Sequence, residues 1–473
     1  MADITGFLKI KRKDAGNRPK HERIGDHSEV EQTLNTEDRM LQASRCMDCG
    51  IPFCHWGCPC DNLIPEWNDM LYKGDWKGAY DRLSATINFP EFTGRICPAP
   101  CEHACVLNIN EEPVTIRENE VAIVEKAFAE GYIKPEPPKI RTGKKIAIIG
   151  SGPAGMAAAD LLNKNGHLVT LFEKDDKAGG LLRYGIPDFK LSKTTIDRRL
   201  DLMVQEGLII KTGTNIGKDI SGKELLEQFD AICLTIGASH PRDLNVEGRD
   251  LNGIHFAMDF LTLQNRVNDG QIQAIANTIT AEGKNVLIIG GGDTGSDCVG
   301  TSIRQKARSV TQIEILPKPP ISRADDNPWP YYGKILKTSS SHEEGCERLW
   351  ALSTVKITGE NNHVTGVEVE EVDWKIVDGR YTMEVKLGTR KIINAELVLL
   401  AMGFVHPVLD GLVSELDLEL EQRKNIKVDR TFSTSHNKVF AAGDSVCGAS
   451  LVVNAIASGR RVAKKIDKFL RES

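Results

Sequence analysis

The spacing of apolar residues along the chain changes near residue 144. Before this point, stretches such as 66–82 and 117–130 carry apolar residues at helical intervals, which predicts a small helical domain. After it, short apolar runs are followed by glycine-rich turns, beginning with Ile-Ala-Ile-Ile at 146–149. Runs of this length are typical of buried parallel strands. The proline-rich, charged segment 134–139 between the two regions is predicted to be a linker.

The order of strand, glycine-rich turn and helix occurs twice. The run 146–149 leads into Gly-Ser-Gly-Pro-Ala-Gly, and the run 286–289 leads into Gly-Gly-Gly-Asp-Thr-Gly. Two other apolar runs, 231–237 and 397–403, both end in glycine. We interpret them as the two crossings between one nucleotide-binding domain and a second domain inserted into it.

We therefore predict an α/β protein in which an α-helical N-terminal domain precedes two Rossmann-like domains. Residues 364–372 and 381–387 alternate in polarity like antiparallel strands, which adds a small antiparallel sheet to the inserted domain. The predicted boundaries are 1–143 for the helical domain, 144–240 and 403–473 for the two parts of the outer nucleotide-binding domain, and 241–402 for the inserted one.

Composition narrows the possible classes of function. The 473 residues carry a formal net charge of -6, with 40% hydrophobic and 27% charged residues, so the chain lacks the basic excess of a nucleic-acid-binding protein. No apolar stretch approaches the roughly 18–20 residues that span a membrane, and the first residues lack the apolar core of a secretion signal. We expect a cytoplasmic location. Twelve cysteines in such a chain indicate metal binding or redox chemistry rather than disulfides.

Eight of the twelve cysteines lie in two runs between residues 46 and 105. Closely spaced thiolates supply the soft, anionic ligands of a [4Fe–4S] cluster, and a cysteine that precedes proline at the end of such a run can serve a second cluster. This rule gives one set of four and one set of three, namely Cys46, Cys49, Cys54 and Cys105 for the first cluster and Cys58, Cys97 and Cys101 for the second.

One ligand of the second cluster is left open. Cys60 is a candidate by count, but an extended chain would point its side chain away from that of Cys58. Structural zinc is the alternative for both runs. Zinc usually takes paired cysteines that are two to four residues apart, and the gaps in these runs fit that pattern poorly.

The first glycine-rich turn has the context of a dinucleotide-binding site. Its glycines permit a tight turn and the close approach of a pyrophosphate to a helix N-terminus, and Glu173 ends the next strand, where it can accept from ribose hydroxyls. Asp444 ends a later apolar strand, where a carboxylate can bind the ribityl chain of a flavin, so we predict FAD. A helix from about Leu451 would direct its N-terminus at the flavin. The candidate FAD-binding residues are Gly150, Gly152, Pro153, Ala154, Gly155, Glu173, Gly180, Leu181, Gly237, Gly443, Asp444, Leu451 and Val452.

The second glycine-rich turn predicts a site for a nicotinamide coenzyme. Glu314 ends the following strand in register with Glu173, which favours NAD, whereas Arg304 and Lys318 are near enough in sequence to bind a 2′-phosphate. Hydride transfer between stacked rings needs orientation rather than a general base, so no catalytic side chain is predicted. The candidate residues in the turn are Gly290, Gly292, Asp293, Thr294 and Gly295.

With these motifs in place, the chain resembles the small (beta) subunits of glutamate synthases over nearly its whole length. The stretches that carry the resemblance include 95–102, 185–190, 290–301 and 327–330. The resemblance implies a helical domain with two [4Fe–4S] clusters, then an FAD domain interrupted by an NAD(P)H domain. In the related amino-terminal part of dihydropyrimidine dehydrogenases the eighth ligand is a non-cysteine side chain. Glu120 matches that position, and we prefer it to Cys60.

The resemblance also implies a function. Such a subunit oxidises NADPH, with NADH possible, and passes electrons by way of FAD and the clusters to a large FMN-containing subunit that makes glutamate from glutamine and 2-oxoglutarate. One alternative is an NAD(P)H:acceptor subunit of another complex, such as a ferredoxin-linked transhydrogenase or a sulfur reductase. A non-enzymatic alternative is a zinc-binding, redox-sensing scaffold.

Overall fold

The structure is a computed structural model, and it describes residue 3 and residues 5–273, 279–377 and 380–472. Its N-terminal part is helical, as predicted. The helices are α1 (Gly6–Lys9), α2 (Lys20–Arg23), α3 (Thr36–Ala43), α4 (Phe53–Gly57), α5 (Ile64–Tyr72), α6 (Trp76–Ser84), α7 (Pro90–Ile96), α8 (Pro100–Ala104) and α9 (Ile116–Ala129), with a 3-10 turn at Val106–Ile109.

Local sequence signals explain where two of these helices begin. The Asn35 side chain accepts from the N–H of Asp38 (2.8 Å) at the start of α3, and the Asp75 side chain accepts from the N–H of Gly78 (2.9 Å) at the start of α6. Both are N-caps, which satisfy backbone donors that the helix itself leaves free. Trp67, Phe89 and Phe92 are fully buried and belong to the core of this part.

The remaining elements alternate between strands and helices. The strands are β1 (Lys145–Ile149), β2 (Leu168–Phe172), β3 (Ile209–Lys211), β4 (Ala231–Leu234), β5 (Ile254–Phe256), β6 (Asn285–Ile289), β7 (Ser309–Ile313), β8 (Glu347–Leu349), β9 (Leu352–Glu360), β10 (His363–Val377), β11 (Arg380–Val385), β12 (Lys391–Asn394), β13 (Leu397–Leu400) and β14 (Val439–Ala441). The helices are α10 (Pro153–Lys164), α11 (Leu181–Tyr184), α12 (Lys193–Gln205), α13 (Gly222–Gln228), α14 (Ala257–Asn268), α15 (Asp293–Arg304), α16 (Ser340–Gly345), α17 (Leu412–Glu415), α18 (Asp444–Cys447) and α19 (Val452–Glu472).

Two five-stranded parallel sheets form the centre of this part. The first has the order β14-β4-β1-β2-β3 and the second has the order β5-β13-β6-β7-β8. The predicted antiparallel strands are β10 and β11, which pair with each other, and β10 also pairs with β9 and β12. Because β14 returns to the first sheet after the second is complete, the second sheet is an insertion into the first. This agrees with the predicted α/β fold.

The chain crosses between the two sheets through a short antiparallel pair of segments. The N–H of His240 donates to the carbonyl oxygen of His406 (3.0 Å), and the N–H of Val405 donates to that of His240 (2.9 Å). Pro241 and Phe404 form an isolated bridge between these hydrogen bonds. The crossings lie close to the predicted positions, whereas the residue-level domain boundaries stay predictions. None of the helices in the described ranges is long and apolar enough to cross a bilayer.

Candidate functional site

The turn after β1 has the shape that a bound pyrophosphate requires. Gly150 has a φ of 99°, and a Cβ there would come within 2.5 Å of the Thr235 carbonyl oxygen. A Cβ on Gly155 would overlap the carbonyl oxygen of Gly150, so only glycine lets α10 pack this closely. A Cβ on Gly152 would meet no protein atom within 4 Å, which leaves open space before the N-terminus of α10. These are the three roles of glycine in a dinucleotide-binding turn, and the free N–H groups of the helix favour an anion there.

Glu173 follows β2 directly, and its carboxylate faces this turn. Its Oε2 accepts from both the N–H (3.1 Å) and the hydroxyl of Ser151. Its Oε1 accepts from the N–H of Asp175 (3.0 Å). These hydrogen bonds hold the Glu173 carboxylate in place. Because a carboxylate oxygen can accept more than one hydrogen bond, Glu173 can still accept from ribose hydroxyls.

Asp444 lies at the same edge of the first sheet. The strands β14, β4 and β1 are parallel neighbours, so their carboxyl ends meet. A Cβ on Gly443 would lie 2.8 Å from the Cβ of Ala154, and Pro153 and Ala154 are the first residues of α10. Burial raises the pKa of Asp444, and its Oδ1 accepts from the hydroxyl of Ser450 (2.6 Å). The structure therefore brings this carboxyl group to the first turn.

The other candidate FAD residues differ in exposure. A Cβ on Gly180 would come within 2.9 Å of the middle glycine of the turn, so the start of α11 packs against it, and the next residue, Leu181, is exposed. The Cβ position of Gly237 has no protein atom within 4 Å. Leu451 and Val452 are half-buried where α19 begins, close to the predicted helix start. Contact between these residues and FAD stays a prediction.

The turn after β6 repeats the geometry of the first. Gly290 has a φ of 126°, and a Cβ there would overlap a carbonyl oxygen just beyond β13. A Cβ on Gly295 would overlap the carbonyl oxygen of Gly290, whereas one on Gly292 would meet nothing within 4 Å. Asp293 and Thr294 are the first two residues of α15. The second turn can therefore admit a second pyrophosphate in the same manner.

Glu314 has the same place in the second turn as Glu173 has in the first. Its Oε2 accepts from the N–H of Gly291 (2.7 Å), and its Oε1 accepts from the N–H of Leu316 (3.2 Å). In both turns the carboxylate is thus fixed by the second residue of the glycine motif and by the residue two positions after itself.

Arg304 has a different role from the one predicted. Its guanidinium is buried and forms a bidentate ion pair with Glu344 (Nη1–Oε2 2.6 Å, Nη2–Oε1 3.1 Å). Its Nε donates to the carbonyl oxygen of Asp26 (2.9 Å), and its Cζ lies 3.9 Å from the centre of the Phe189 ring. Because these contacts engage the guanidinium inside the protein, Arg304 is not available to a 2′-phosphate. The prediction that it binds the coenzyme is wrong.

Lys318 lies in the exposed loop after β7. Its Nζ is 5.0 Å from the centre of the Trp350 ring, and the Cζ of Arg348 is at the same distance from that ring. Cations at this separation from an indole face are attracted by its electrons. A role for Lys318 in binding phosphate stays a prediction.

Four cysteines from the two runs line one cavity. Cys46, Cys49, Cys54 and Cys105 line a small cavity of about 20 Å³, whose lining is largely apolar and includes Ile64. This is the set that the sequence assigns to the first cluster. Burial raises the pKa of all four thiols, so binding of a cationic iron–sulfur core is what would favour their thiolate forms. Among the described residues, no three His, Cys, Asp or Glu side chains converge closely enough to hold a single metal ion.

A second group contains Cys58, Cys97, Cys101 and Glu120. Burial raises the pKa of Cys101 well above its ordinary value, and the charges of Cys58 and Cys97 add to the rise. Burial also raises the pKa of Glu120 to about 8, with a further contribution from Cys58, while a hydrogen bond from Thr93 opposes the rise. A buried carboxyl group beside three thiols can complete a set of four donors. Its role as a ligand stays a prediction.

Cys60 lies next to Cys58, contrary to the expectation from an extended chain. Residues 58–60 form a turn, in which the N–H of Asp61 donates to the carbonyl oxygen of Cys58 (2.9 Å). A hydrogen bond from the Cys60 thiol lowers the pKa of Cys58. The Cys60 Sγ also lies 3.7 Å from the carbonyl oxygen of Val453 in α19. The Cys60 side chain therefore does not point away from Cys58, the prediction that it would is wrong, and Cys60 stays a candidate ligand.

Trp329, to which sequence reasoning assigned no function, contacts two residues that line the first cavity. Its Nε1 donates to the carbonyl oxygen of Cys105 (3.2 Å), and its ring centre lies 4.5 Å from that of Phe53. Phe53 itself lines the cavity. The stretch 327–330 stood out in the sequence only through the family resemblance, because no local pattern connects it with cysteines so far away along the chain.

The residues present fit the predicted groups. Two turns with open space before a helix and a fixed carboxylate suit two dinucleotides, and a cavity lined by four thiols suits an iron–sulfur cluster. Residues 144–459 match the family model described as pyridine nucleotide-disulphide oxidoreductase, and residues 23–132 match that of dihydropyrimidine dehydrogenase domain II, 4Fe-4S cluster. The chain is therefore an iron–sulfur flavoprotein oxidoreductase of the pyridine-nucleotide class.

Relatives that match along the whole chain show the particular family. The glutamate synthase [NADPH] small chain of Mycobacterium tuberculosis is 49% identical, over 100% of this chain and 97% of the relative. The corresponding chain of Bacillus subtilis is 44% identical, over 100% and 99%. The glutamate synthase [NADH] of Schizosaccharomyces pombe is 44% identical over 98% of this chain but only 22% of its own length. The chain belongs to the family of glutamate synthase small chains, as the resemblance implied.

A solved structure supports the fold of the two sheets. FprA from Mycobacterium tuberculosis, in complex with NADPH, aligns with a TM-score of 0.57 over 70% of this chain and 85% of that one. The sequences are 17% identical, so the likeness concerns the fold alone.

Proposed function

We propose that the chain is the electron-input subunit of a glutamate synthase. It oxidises a nicotinamide coenzyme and delivers the electrons to a large, FMN-containing subunit that makes glutamate from glutamine and 2-oxoglutarate. When bound, FAD would accept electrons in pairs, and two [4Fe–4S] clusters would carry them singly. A cytoplasmic location is part of the proposal.

The contact between the cysteine runs and the FAD-binding sheet is the observation that carries this proposal. Cys60, beside the second thiol set, lies against Val453 in α19. That helix packs closely on α10, since a Cβ on Gly459 would overlap the carbonyl oxygen of Ala154. Direct packing therefore connects Cys60, beside the group of Cys58, Cys97 and Cys101, through α19 to α10, the helix whose N-terminus faces the first glycine-rich turn.

The side chains of this protein bind, orient and exclude water. Ser151 and Glu173 fix the ribose end of the first site, and Asp444 approaches from the neighbouring strand. At the first cavity, Ile64 and the other apolar side chains limit the access of water to the thiols, which would slow exchange of ligands with solvent. Positioning of this kind is what electron and hydride transfer require from a protein.

We assign Cys46, Cys49, Cys54 and Cys105 to one cluster, and Cys58, Cys97 and Cys101 with Glu120 to the other. Two matched variants test the eighth ligand. Glu120→Ala should lose the electron paramagnetic resonance signal of one reduced cluster and roughly half of about eight irons per chain, whereas Cys60→Ala should keep both. The reverse result would assign the position to Cys60.

Reconstitution with the large subunit tests the function. The isolated chain should be brown-yellow and should reduce an artificial dye with a nicotinamide coenzyme, yet form no glutamate. Addition of the large subunit should give a stable complex that forms glutamate from glutamine and 2-oxoglutarate. If no complex forms and the chain instead reduces a ferredoxin or a sulfur compound, the reading as a subunit of another reductase would replace this one.

A further inference from the structure

Large apolar side chains from two domains are exposed side by side near the first cavity. Trp56 in α4 is 57% exposed, and Tyr331, in the loop between β7 and α16, is 56% exposed. Their ring centres are 5.7 Å apart, so the helical domain and the inserted domain form this surface together. Ile51 is 76% exposed and directly precedes the N-cap of α4, a position that commonly packs against the one that Trp56 holds. Ile51, Trp56 and Tyr331 are called the apolar patch below.

The apolar patch adjoins the thiols of the first cavity. Cys49 lines the cavity, is partly exposed and lies two residues before Ile51. On the other side, Tyr331 lies two residues after Trp329, whose Nε1 donates to the carbonyl oxygen of Cys105 (3.2 Å). Both halves of the patch therefore connect through a few atoms to residues that line the cavity. Exposed apolar surface of this kind commonly marks a site of protein–protein contact.

The position of the patch matches the exit that the proposed electron path needs. The second group of thiols lies beside the FAD-binding sheet, where Cys60 contacts Val453 in α19 (3.7 Å). The described residues that line the first cavity all belong to the helical domain. Electrons from FAD would therefore reach the second group first and leave from the first cavity, over which the acceptor must dock because electron transfer weakens steeply with distance. We propose that the apolar patch is the docking surface for the large, FMN-containing subunit.

Charge indicates which chemistry the partner's face should have. The segments 46–72 and 96–116 hold every cysteine of the two runs, and together they contain seven acidic residues and no lysine or arginine. Asp48, Asp61 and Glu112 are among the exposed acids. Protein–protein interfaces typically join an apolar, aromatic centre to a polar rim, with opposite charges on the two partners. We therefore expect the large subunit to present an apolar pocket surrounded by lysine and arginine side chains.

Binding of the FAD- and cluster-loaded chain to the large subunit tests the proposal. Trp56→Ser and Tyr331→Ser should each raise the dissociation constant, measured by biolayer interferometry, at least about tenfold. Tyr381→Ser is the matched control, because Tyr381 is 67% exposed on β11, away from the cysteine runs, and it should bind like the wild type.

Flavin absorbance, iron content and dye reduction report whether each variant is intact. If Trp56→Ser loses iron, Tyr331→Ser decides alone, since it alters a loop of the other domain. Wild-type affinity in the intact patch variants would overturn the proposal, as would an equal loss of affinity in Tyr381→Ser.

Glutamate formation distinguishes docking from the chemical steps. In a patch variant, the concentration of large subunit that gives half the maximal rate should rise at least about tenfold, while the maximal rate stays within about twofold of the wild type. A lower maximal rate at an unchanged half-saturating concentration would contradict a docking role.

Salt and a single acid test the charge of the partner's face. Affinity should fall as salt is raised from about 50 mM to about 500 mM, because screening weakens attraction between opposite charges. Glu112→Gln should slow association by about two- to fivefold at low salt. Glu227→Gln, at an exposed acid in α13, is the control and should not. An affinity that is independent of salt would contradict the basic face.

A second copy of this chain is the other occupant that the experiments can detect. If the isolated chain self-associates in analytical ultracentrifugation, and Trp56→Ser makes it monomeric without weakening its binding to the large subunit, the patch is an interface between copies and the proposal is wrong.

This inference rests on the proposed function but can fail separately from it. If the wild type and the patch variants bind the large subunit equally well and support glutamate formation, only the docking surface is wrong. If the wild type neither binds the large subunit nor supports glutamate formation, the proposed function is wrong, and the docking surface with it.

Discussion

Arg304 and Glu344 form a buried, bidentate ion pair that the N-terminal domain completes. Their side chains are 1% and 0% exposed. Arg23, from α2, donates through its Nε to Glu344 Oε1 (2.8 Å). One carboxylate thus pairs with two guanidinium groups away from solvent, one from α2 in the helical domain and one from α15 in the inserted domain.

Removal of that carboxylate should destabilise the fold. Glu344→Gln leaves the buried Arg304 guanidinium without a charged partner, and we expect the free energy of unfolding to fall by about 3–5 kcal/mol, measured by urea denaturation. Glu343→Gln is the matched control. Glu343 also pairs with Arg23, but its side chain is 54% exposed, so its loss should cost less than about 1 kcal/mol. Similar losses in the two variants would contradict this account.

Two glycines of the first turn should respond differently to alanine. Gly152→Ala places a Cβ where no protein atom lies within 4 Å, so the flavin-free protein should keep its stability while FAD binds at least about tenfold more weakly, or about 1.4 kcal/mol. Gly155→Ala forces a Cβ into the Gly150 carbonyl oxygen and should lower the free energy of unfolding by about 1–3 kcal/mol. Flavin absorbance and thermal melting measure the two effects. Equal loss of stability in both would be inconsistent with open space at Gly152.

Loss of one cavity thiol should remove one cluster and spare the other. Cys105→Ser takes away a donor that lines the first cavity, and we expect iron to fall from about eight to about four per chain, with one electron paramagnetic resonance signal remaining. Cys447→Ser, at an exposed cysteine outside both runs, should retain the full iron content. Loss of both signals in Cys105→Ser would show that the two sites do not load independently.

Acid should weaken the fold through His342. Its Nδ1 accepts from the N–H of Ser339 (3.2 Å) and its Nε2 lies 2.8 Å from Oε1 of Gln312. Burial lowers its pKa from 6.5 to about 4. Between these pH values the unfolded chain binds more protons than the folded one, so stability falls as the pH is lowered through this window.

We expect His342 to account for about 1 kcal/mol of that loss, after allowance for solvent screening of a half-buried group. Urea denaturation at several pH values between 6.5 and 4 measures it. His342→Asn should show a shallower dependence on pH than the wild type, whereas His21→Asn, at an exposed position, should not. Parallel curves for all three proteins would remove His342 from the explanation.

Most of the fold and site that could be predicted depended on residues that are close together in the sequence. The glycine turns and their acids depend on residues a few positions apart, and for this reason the geometry of Glu173 and Glu314 follows from the sequence. The division of the cysteines into a first set with Cys105 relied on a rule about proline, and the structure brings that set to one cavity. Pairings across distant elements were out of reach. Nothing near Arg304 in the sequence indicates that it would form a buried ion pair with Glu344. Nor does the sequence show that residues 58–60 form a turn, which places the Cys60 side chain beside Cys58 and not away from it.

The same buried carboxylate has a consequence for motion. A domain joined to its neighbour only by two crossing segments, such as those at His240 and His406, is free to swivel about them. Here Glu344 ties the inserted domain to Arg23 in α2, in addition to direct ion pairs between the two nucleotide-binding domains such as that of Lys190 with Asp297. The orientation of the inserted domain therefore depends in part on how the N-terminal helices dock, at a distance from either nucleotide turn.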